Sequence, residues 1–510
     1  MSQHLLVETL MREVQERPLL WIAVALFANT LVKRVLAWHR LRHIDGPFWA
    51  KFTDFWLLKR LWRSELYVDL GKAVQEYGNV VRIARNYVVC GDPAEIRRIW
   101  GVRSTFDRSD WYRAFRWDPP QDSSLTIRDP TAHPALRAKL APGYGGRGVE
   151  GLHEAVDEGI EQLIQLIETE YLSTDSEYKP VDFAVKTQYM TLDIITKIAF
   201  GDALGFLAAD SDLYGYVERW KGKAVMPASF VIALHPWLVS ILHSDICKPL
   251  RPTDQDKEGF GALIAFAKRL VAKRYGPNKV VKNDMLGTFV QNGLTQSDAE
   301  AESLVQVIAG SDTTVGALRS IIAHIISSPA LCRRVQEEID NAIADGRVST
   351  PVADAEARKL PMLQACIKEG LRIWPPITAP TPRVSNVDAT ICGVHIPAGT
   401  NVCWSAWAIL RNKEVFGPDA DVFRPDRWLQ ADEKRVLPMN ETVDLCFAHG
   451  KNGCLGRPIA MIELNKAIVE FLRRWDITIV NREHPIDNYN CGILVQSDFW
   501  VTIQKRKIGL

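Results

Sequence analysis

The sequence predicts a mainly helical α+β protein, and three observations carry that prediction. Apolar residues recur at three- and four-residue spacings through most of residues 148–375, and one apolar helical pattern runs unbroken from about Thr295 to Ser328. Stretches rich in β-branched residues are confined to short regions around Val80 to Cys90 and Thr390 to Trp404. Hydrophobic residues make up 47% of the 510 and charged ones 24%, which gives the chain a sizeable core and excludes disorder for most of its length. The 62 Lys and Arg offset the 61 Asp and Glu, so no global field exists to hold a phosphate polymer and no nucleic-acid partner is expected.

The first element is an uncharged run, Leu19 to Val32, shorter than the ~20 residues that span a bilayer. Lys33 and Arg34 can snorkel and extend it to Trp38. A membrane anchor, a buried or interfacial helix and a cleaved signal all suit that length, although no small-residue cleavage site follows. Lys33, Arg34, Arg40 and Arg42 lie behind the run, which under the positive-inside rule leaves the body of the chain in the cytosol. Cysteines at 90, 247, 332, 366, 392, 403, 446, 454 and 491 include no C-x-x-C pair, so neither a disulfide framework nor a zinc ribbon is expected.

Asp45-Gly46-Pro47 is a turn signal and reads as a hinge into the folded body. No internal repeat or second linker follows, so the expected division is a membrane anchor with its basic flank over 1–40 and one unit over 41–510. Within that unit Val80 to Cys90 and Thr390 to Trp404 are the expected strands. Gly151 to Glu170, Ala262 to Tyr275, Thr295 to Ser327 and Pro329 to Ala344 are expected helices.

The helix from Thr295, ~50 Å long at 1.5 Å per residue, must cross the core. In its middle stand Ala309-Gly310-Ser311-Asp312-Thr313-Thr314, where Gly weakens a helix and Asp and Thr are costly to bury alone. A solvent-facing polar patch is one account. The other is a local opening of the helix that admits a ligand and aims the Asp312 carboxylate and Thr313 hydroxyl at it.

Near the carboxyl end, Phe447-Ala448-His449-Gly450-Lys451-Asn452-Gly453-Cys454-Leu455-Gly456 places three glycines around one cysteine, just before a helical stretch. Such a loop can approach a flat cofactor closely, its free N–H groups can bond a sulfur, and a helix N-terminus stabilises thiolate. A structurally inert buried thiol, or a nucleophilic Cys454 with His449 as base, are the alternatives.

Phe-x-x-Gly-x-x-x-Cys-x-Gly at 447–456 resembles the haem-binding loop of the cytochromes P-450. Three further stretches agree in order and spacing. Ala309 to Thr314 resembles the oxygen-activating A-G-x-D-T-T, Glu369-Gly370-Leu371-Arg372 the E-x-x-R pair, and Phe423-Arg424-Pro425-Asp426-Arg427-Trp428 the F-x-P-E-R-F/W segment, with Asp for Glu. Gly46-Pro47-Phe48-Trp49 and Ser109-Asp110-Trp111-Tyr112 are similar to the fungal pisatin-demethylase-like branch of secondary metabolism.

The resemblance implies a haem-thiolate monooxygenase of the P-450 fold, with haem b held through Cys454 and framed by Phe447, Gly450 and Gly456. It implies that Asp312 and Thr313 relay protons and that Glu369, Arg372 and Arg427 form a buried structural triad. Many members carry Arg two residues before the cysteine to hold a propionate; here Asn452 stands there, beside Lys451. His133, Arg137 and Arg383 are the other expected propionate partners. The further implications are O2, an NADPH-cytochrome P-450 reductase partner, a hydrophobic small-molecule substrate and a single-pass endoplasmic reticulum location with the catalytic domain cytosolic. The pocket is expected from Arg103 to Ser124, Met226 to Leu242, the helix before Ala309, the segment after Pro376 and Cys491 to Gln496. An O2-independent rearranging or dehydrating haem-thiolate enzyme and a non-catalytic haem-binding ligand sensor are the rival functions.

Overall fold

In the computed structural model, which describes residues 11–116, 121–221 and 225–506, the helices that position the site are α1 (Pro18–Arg40), α2 (Pro93–Trp100), α3 (Ala132–Tyr144), α4 (Phe183–Phe200), α5 (Tyr216–Lys221), α6 (Gln296–Ile326), α7 (Pro361–Ile373) and α8 (Arg457–Arg474). Residues 1–10 of the expected anchor segment, residues 117–120 of the expected pocket loop and the Met226 side chain lie outside the described residues. The fold is α+β and dominated by helix.

The apolar pattern from Thr295 folds as the 31-residue α6, whose first turn Thr295 caps by accepting the Asp298 N–H at 3.2 Å. Its residues are buried nearly all round, and so are those of α4, which packs across it; a helix buried on every face is a core helix, even where, as here, some of its buried side chains are polar. Contrary to the expected opening, α6 runs unbroken through Ala309 to Thr314. Gly310 serves packing instead: a Cβ there would lie 2.7 Å from Ile195 of α4, so its absence lets the two helices approach.

The strands gather into small sheets at the flank. The largest orders β1 (Val80–Ala84), β2 (Tyr87–Cys90), β8 (Asn401–Trp404), β5 (Arg383–Ser385) and β3 (Phe106–Arg108), with β2 parallel to β8 and the other pairs antiparallel. The expected pair at 80–90 is β1 and β2, and Thr390 to Trp404 holds the hairpin β6 (Ala389–Ile391) and β7 (Val394–Ile396) besides β8. A second sheet orders β4 (Val181–Asp182), β12 (Trp500–Lys505) and β9 (Trp475–Ile479), and β10 (Asp487–Asn490) pairs with β11 (Leu494–Ser497) as a hairpin.

Helix α1 buries none of its residues and has a mean hydropathy of 1.7 over its most apolar window, so it is long and apolar enough to cross a membrane. The expected hinge behind it is a clamped joint. Leu41 and Ile44 are buried, the Arg82 N–H donates to the Asp45 carbonyl at 2.8 Å, and a Cβ on Gly46 would lie 2.1 Å from the Arg82 carbonyl. The buried Arg82 guanidinium donates to the carbonyls of Ala37 at 3.1 Å and Trp38 at 3.3 Å, which satisfies the last turn of α1.

Candidate active site

Cys454 is held by backbone on both sides. Its N–H donates to the Phe447 carbonyl at 2.7 Å, and its sulfur accepts the N–H groups of Gly456 and Arg457 at the start of α8. Gly450 adopts φ +61°, and a Cβ there would lie 2.4 Å from the Trp100 carbonyl, so the loop fits against the end of α2 only as glycine. Gly456 is the N-cap of α8, and the Arg457 guanidinium lies 5.1 Å from the Phe447 ring centroid. Among the described cysteines Cys454 alone has an exposed side chain, although the protein surrounds it. Burial pushes the thiol up, while the two N–H groups and the Arg137 and Arg457 charges pull it down. Cys446 instead faces the Leu371 carbonyl at 3.4 Å, and burial pushes it to about 12. Among the described residues no hydrogen bond joins His449 to Cys454, so the nucleophile–base pair is not assembled.

Beside this loop the structure brings His133 and Arg137 of α3 together with Arg383 of β5 and a residue that sequence reasoning missed, Arg108 of β3. Arg108 stands directly opposite Arg383 in the antiparallel register. Burial and the Arg383 and Arg137 charges lower Arg108 to about 9, and burial with the three arginines lowers His133 to about 3. Arg137 donates to the Gly453 carbonyl at 2.6 Å, while Arg383 bonds the Tyr112 hydroxyl and the carbonyls of Thr381 and Pro382. Yet Arg108 Nε, His133 Nε2 and Arg383 Nε are buried and have no partner. Converging donors with like charges and unmet hydrogen bonds fit a pair of carboxylates, as haem propionates are. Lys451 is spent elsewhere, on Asp107 at 2.5 Å, and Asn452 is buried. The signal for Arg108 is its place on a strand beside Arg383, which only the sheet pairing reveals.

At the centre of α6, Asp312 and Thr313 turn different ways. Ala309 is exposed and Thr313 half-exposed, four residues apart on one face, and the Thr313 hydroxyl donates to the Ala309 carbonyl at 2.8 Å. Asp312 is buried; its Oδ1 accepts from Gln188 Nε2 at 2.8 Å and its Oδ2 from the Tyr216 hydroxyl at 2.9 Å. Burial raises its carboxyl to about 7, against the two hydrogen bonds and the Arg319 charge.

Behind the loop, Glu369 and Arg372 of α7 are fully buried and paired twice, at 2.7 and 2.8 Å. Arg427 Nε reaches Glu369 Oε1 at 2.9 Å, and Trp428 Nε1 and the Arg424 N–H add donors at 3.0 and 2.8 Å. Arg372 spends its remaining N–H groups on the carbonyls of Leu410, Ala420 and Val422, and Arg427 spends its own on the carbonyls of Phe416, Asp419 and Val422 and on the Asp419 carboxylate at 3.1 Å. Every lone pair and proton is matched, which a buried triad requires.

Three expected pocket segments meet through aromatic rings. Trp111, Phe115 and Phe230 lie 4.7 to 5.5 Å apart between centroids, and a Cβ on Gly492 would lie 2.2 Å from the Phe230 ring. The Gly492 carbonyl accepts the N–H groups of Thr378 and Ala379, which ties the segment after Pro376 to the turn at Cys491.

A thiol presented by a Gly-rich loop at a helix N-terminus, next to a cluster of unsatisfied cationic donors and a long core helix, has the donor set that a haem-thiolate oxidoreductase requires. The comparison with known proteins agrees: the Cytochrome P450 family model matches residues 46–499. The chain is similar to the cytochrome P450 monooxygenase ABA1 of Pyricularia oryzae, with 38% identity over 482 residues that cover 92% of this chain and 94% of the relative. It is similar also to the cytochrome P450 monooxygenase aba1 of Botryotinia fuckeliana, at 35% over 468 residues, 91% and 92% of the two chains. The chain belongs to the cytochrome P450 family and is an oxidoreductase of that family, whose members use haem-thiolate and O2 and draw electrons from a redox partner.

Proposed function

We propose that this protein is a monooxygenase that oxidises a hydrophobic small molecule in fungal secondary metabolism, with haem b as its cofactor and NADPH-cytochrome P-450 reductase as its electron donor. The observation that carries the proposal is Cys454, accessible within the fold and fixed by the Gly456 and Arg457 N–H groups beside the Arg108, His133, Arg137 and Arg383 cluster. When bound through Cys454, the haem supplies activation of O2 and insertion of one oxygen atom into the substrate. The residues around it have separate tasks. Arg108, His133, Arg137 and Arg383 hold the propionates, and Phe447, Gly450 and Gly456 shape the loop that presents the sulfur. Glu369, Arg372 and Arg427 keep that loop and the segment before it in register.

Thr313 holds a water at the open face of α6 and Asp312 supplies protons behind it. Trp111, Phe115 and Phe230 form an apolar wall that orients the substrate and excludes bulk water. The relatives' names, cytochrome P450 monooxygenase, support the reaction class.

Residues 41–510 act as the single catalytic domain. Helix α1, within residues 1–40, anchors it to the endoplasmic reticulum membrane by one pass, the catalytic domain being cytosolic. Exposed Phe48, Trp49, Phe52 and Phe55, next to the clamped joint, support that placement.

The test is turnover of the reconstituted holoenzyme. Product should require NADPH, the reductase and O2, and Thr313→Ala should let NADPH oxidation continue while product per NADPH falls and hydrogen peroxide rises. Product formed without O2 would establish the rearranging or dehydrating rival, and haem binding without electron uptake would establish the sensor. Replacing Cys454 by His should abolish the red-shifted band of the reduced carbon monoxide complex, which reports thiolate ligation, whereas Cys446→Ala should leave it.

A further inference from the structure

Arg319, two turns after Asp312 on α6, is a buried guanidinium with no carboxylate in hydrogen-bond contact among the described residues. Its Nε donates to Thr187 Oγ1 at 3.1 Å and its Nη1 to the Gln496 carbonyl at 3.2 Å. Its Nη2 serves the Ala184 carbonyl and Gln188 Oε1, the latter at 3.1 Å. Gln188 then donates to Asp312 from the other end of the same amide. A buried cation and a buried carboxyl are thus joined through one side chain without touching.

Such an arrangement is costly, because a guanidinium in the core without a direct counter-ion loses most of its hydration. Burial lowers Arg319 only to about 10, so it remains charged at neutral pH. The other charged or titratable groups facing this cluster are Asp182, which acts on Arg319, and Tyr216 with Asp212 behind it. Gln188, Tyr216, Asp312, Arg319 and Gln496 also line a small polar cavity with room for a single water. Gln496 Oε1 is buried there without a partner, while its Nε2 donates to Ser320 Oγ and to Asn488 Oδ1, both at 3.1 Å. Asn488 is exposed, opposite Gln496 across the β10–β11 hairpin.

We propose that Arg319, acting through Gln188, is a positioning residue that holds the Asp312 carboxyl in proton exchange with water in this cavity, and that Gln496 and Asn488 form its inlet from solvent. The proposal rests on the reading of Asp312 as a proton relay, and it adds the groups that set the relay's charge and its path to the outside. Gln188 orients Oδ1 toward the cavity, and Tyr216 closes the opposite side. The raised carboxyl of Asp312 balances burial against the Arg319 charge, so a change at Arg319 should be felt at Asp312 although the two do not touch.

The experiment is infrared difference spectroscopy of the resting, haem-loaded, full-length protein over a pH series. The protonated Asp312 C=O band is assigned by its loss in Asp312→Asn. Arg319→Met should move the midpoint of that band upward by about one pH unit or more, and Arg319→Lys should restore it. Gln188→Leu, which leaves three of the four Arg319 partners in place, should shift it the same way and serves where Arg319→Met fails to fold. Gln496→Leu should slow exchange of the band in D2O by about tenfold at an unchanged midpoint. A midpoint that stays put in Gln188→Leu and in Arg319→Met, or in Gln188→Leu alone where Arg319→Met does not fold, overturns the proposal. The relay reading is judged separately, by product per NADPH in Asp312→Asn, since the infrared midpoint needs no turnover.

Discussion

Arg108 and Arg383 face each other across neighbouring antiparallel strands, Arg383 buried and Arg108 half-buried, each with a buried Nε that has no partner. Like charges placed so repel one another, and the repulsion by Arg383 and Arg137 helps burial lower Arg108 despite the opposing pull of Tyr112 and Glu302. The arrangement makes sense as half of a contact whose other half is an anion.

Accordingly, Arg108→Leu and Arg383→Leu should each lower the haem-to-protein ratio that survives gel filtration, and the double variant should lower it further. The haem-free protein should respond in the opposite direction, gaining stability as the repulsion is removed. Haem content equal to wild type in all three variants would remove the pair from the propionate site.

Glu369 is the one carboxylate serving two buried guanidiniums, Arg372 and Arg427. Glu369→Ala should therefore cost about 3 to 5 kcal/mol, because it strands the Arg372 charge in the core and leaves Arg427 with Asp419 alone. Chemical denaturation of the purified protein, or loss of soluble expression, measures this. A loss under ~1 kcal/mol would mean that the triad behaves as a surface ion pair.

Stability should depend on pH through Asp312. Its folded-state carboxyl titrates near about 7, above the ~3.9 of an unfolded aspartate, so the native state binds its proton more tightly than the unfolded state does. This one group should cost wild type up to ~4 kcal/mol of stability as pH rises from ~4 to ~7, with no further change above that, while His133 acts in the opposite direction in both proteins. Asp312→Asn lacks this term, so its advantage over wild type should widen across the same window. Denaturation of both proteins at about pH 5 and about pH 8 checks it; a constant difference between them contradicts the titration.

Gly310→Ala should destabilise the fold by ~1 to 3 kcal/mol through overpacking against Ile195. Ile195→Ala should rescue it, since the lost side chain makes room for the new methyl. Were Gly310 a point of helix opening, the alanine would stabilise α6 and Ile195 would be irrelevant.

The sequence by itself determined whatever depends on local pattern. Three- and four-residue apolar spacing specified α6, with Thr295 or Ser297 as its cap, and β-branched runs specified β1, β2 and β8. The glycine spacing around Cys454 and the three-residue step from Glu369 to Arg372 are contained within single elements, so they too were legible before any fold was known.

Tertiary structure decided what depends on which elements meet. Gly310 looks like a weakness of its helix until Ile195 is seen against it, and Asp45-Gly46-Pro47 looks like a hinge until Arg82 is seen to clamp it. Arg108 acquires meaning only from Arg383, and Arg319 only from Gln188 and Gln496, residues separated from them by more than a hundred positions in the chain. The physical reason is the same in each case. Burial and like-charge proximity set the energy of a charged group, and neither is a property of its neighbours in sequence.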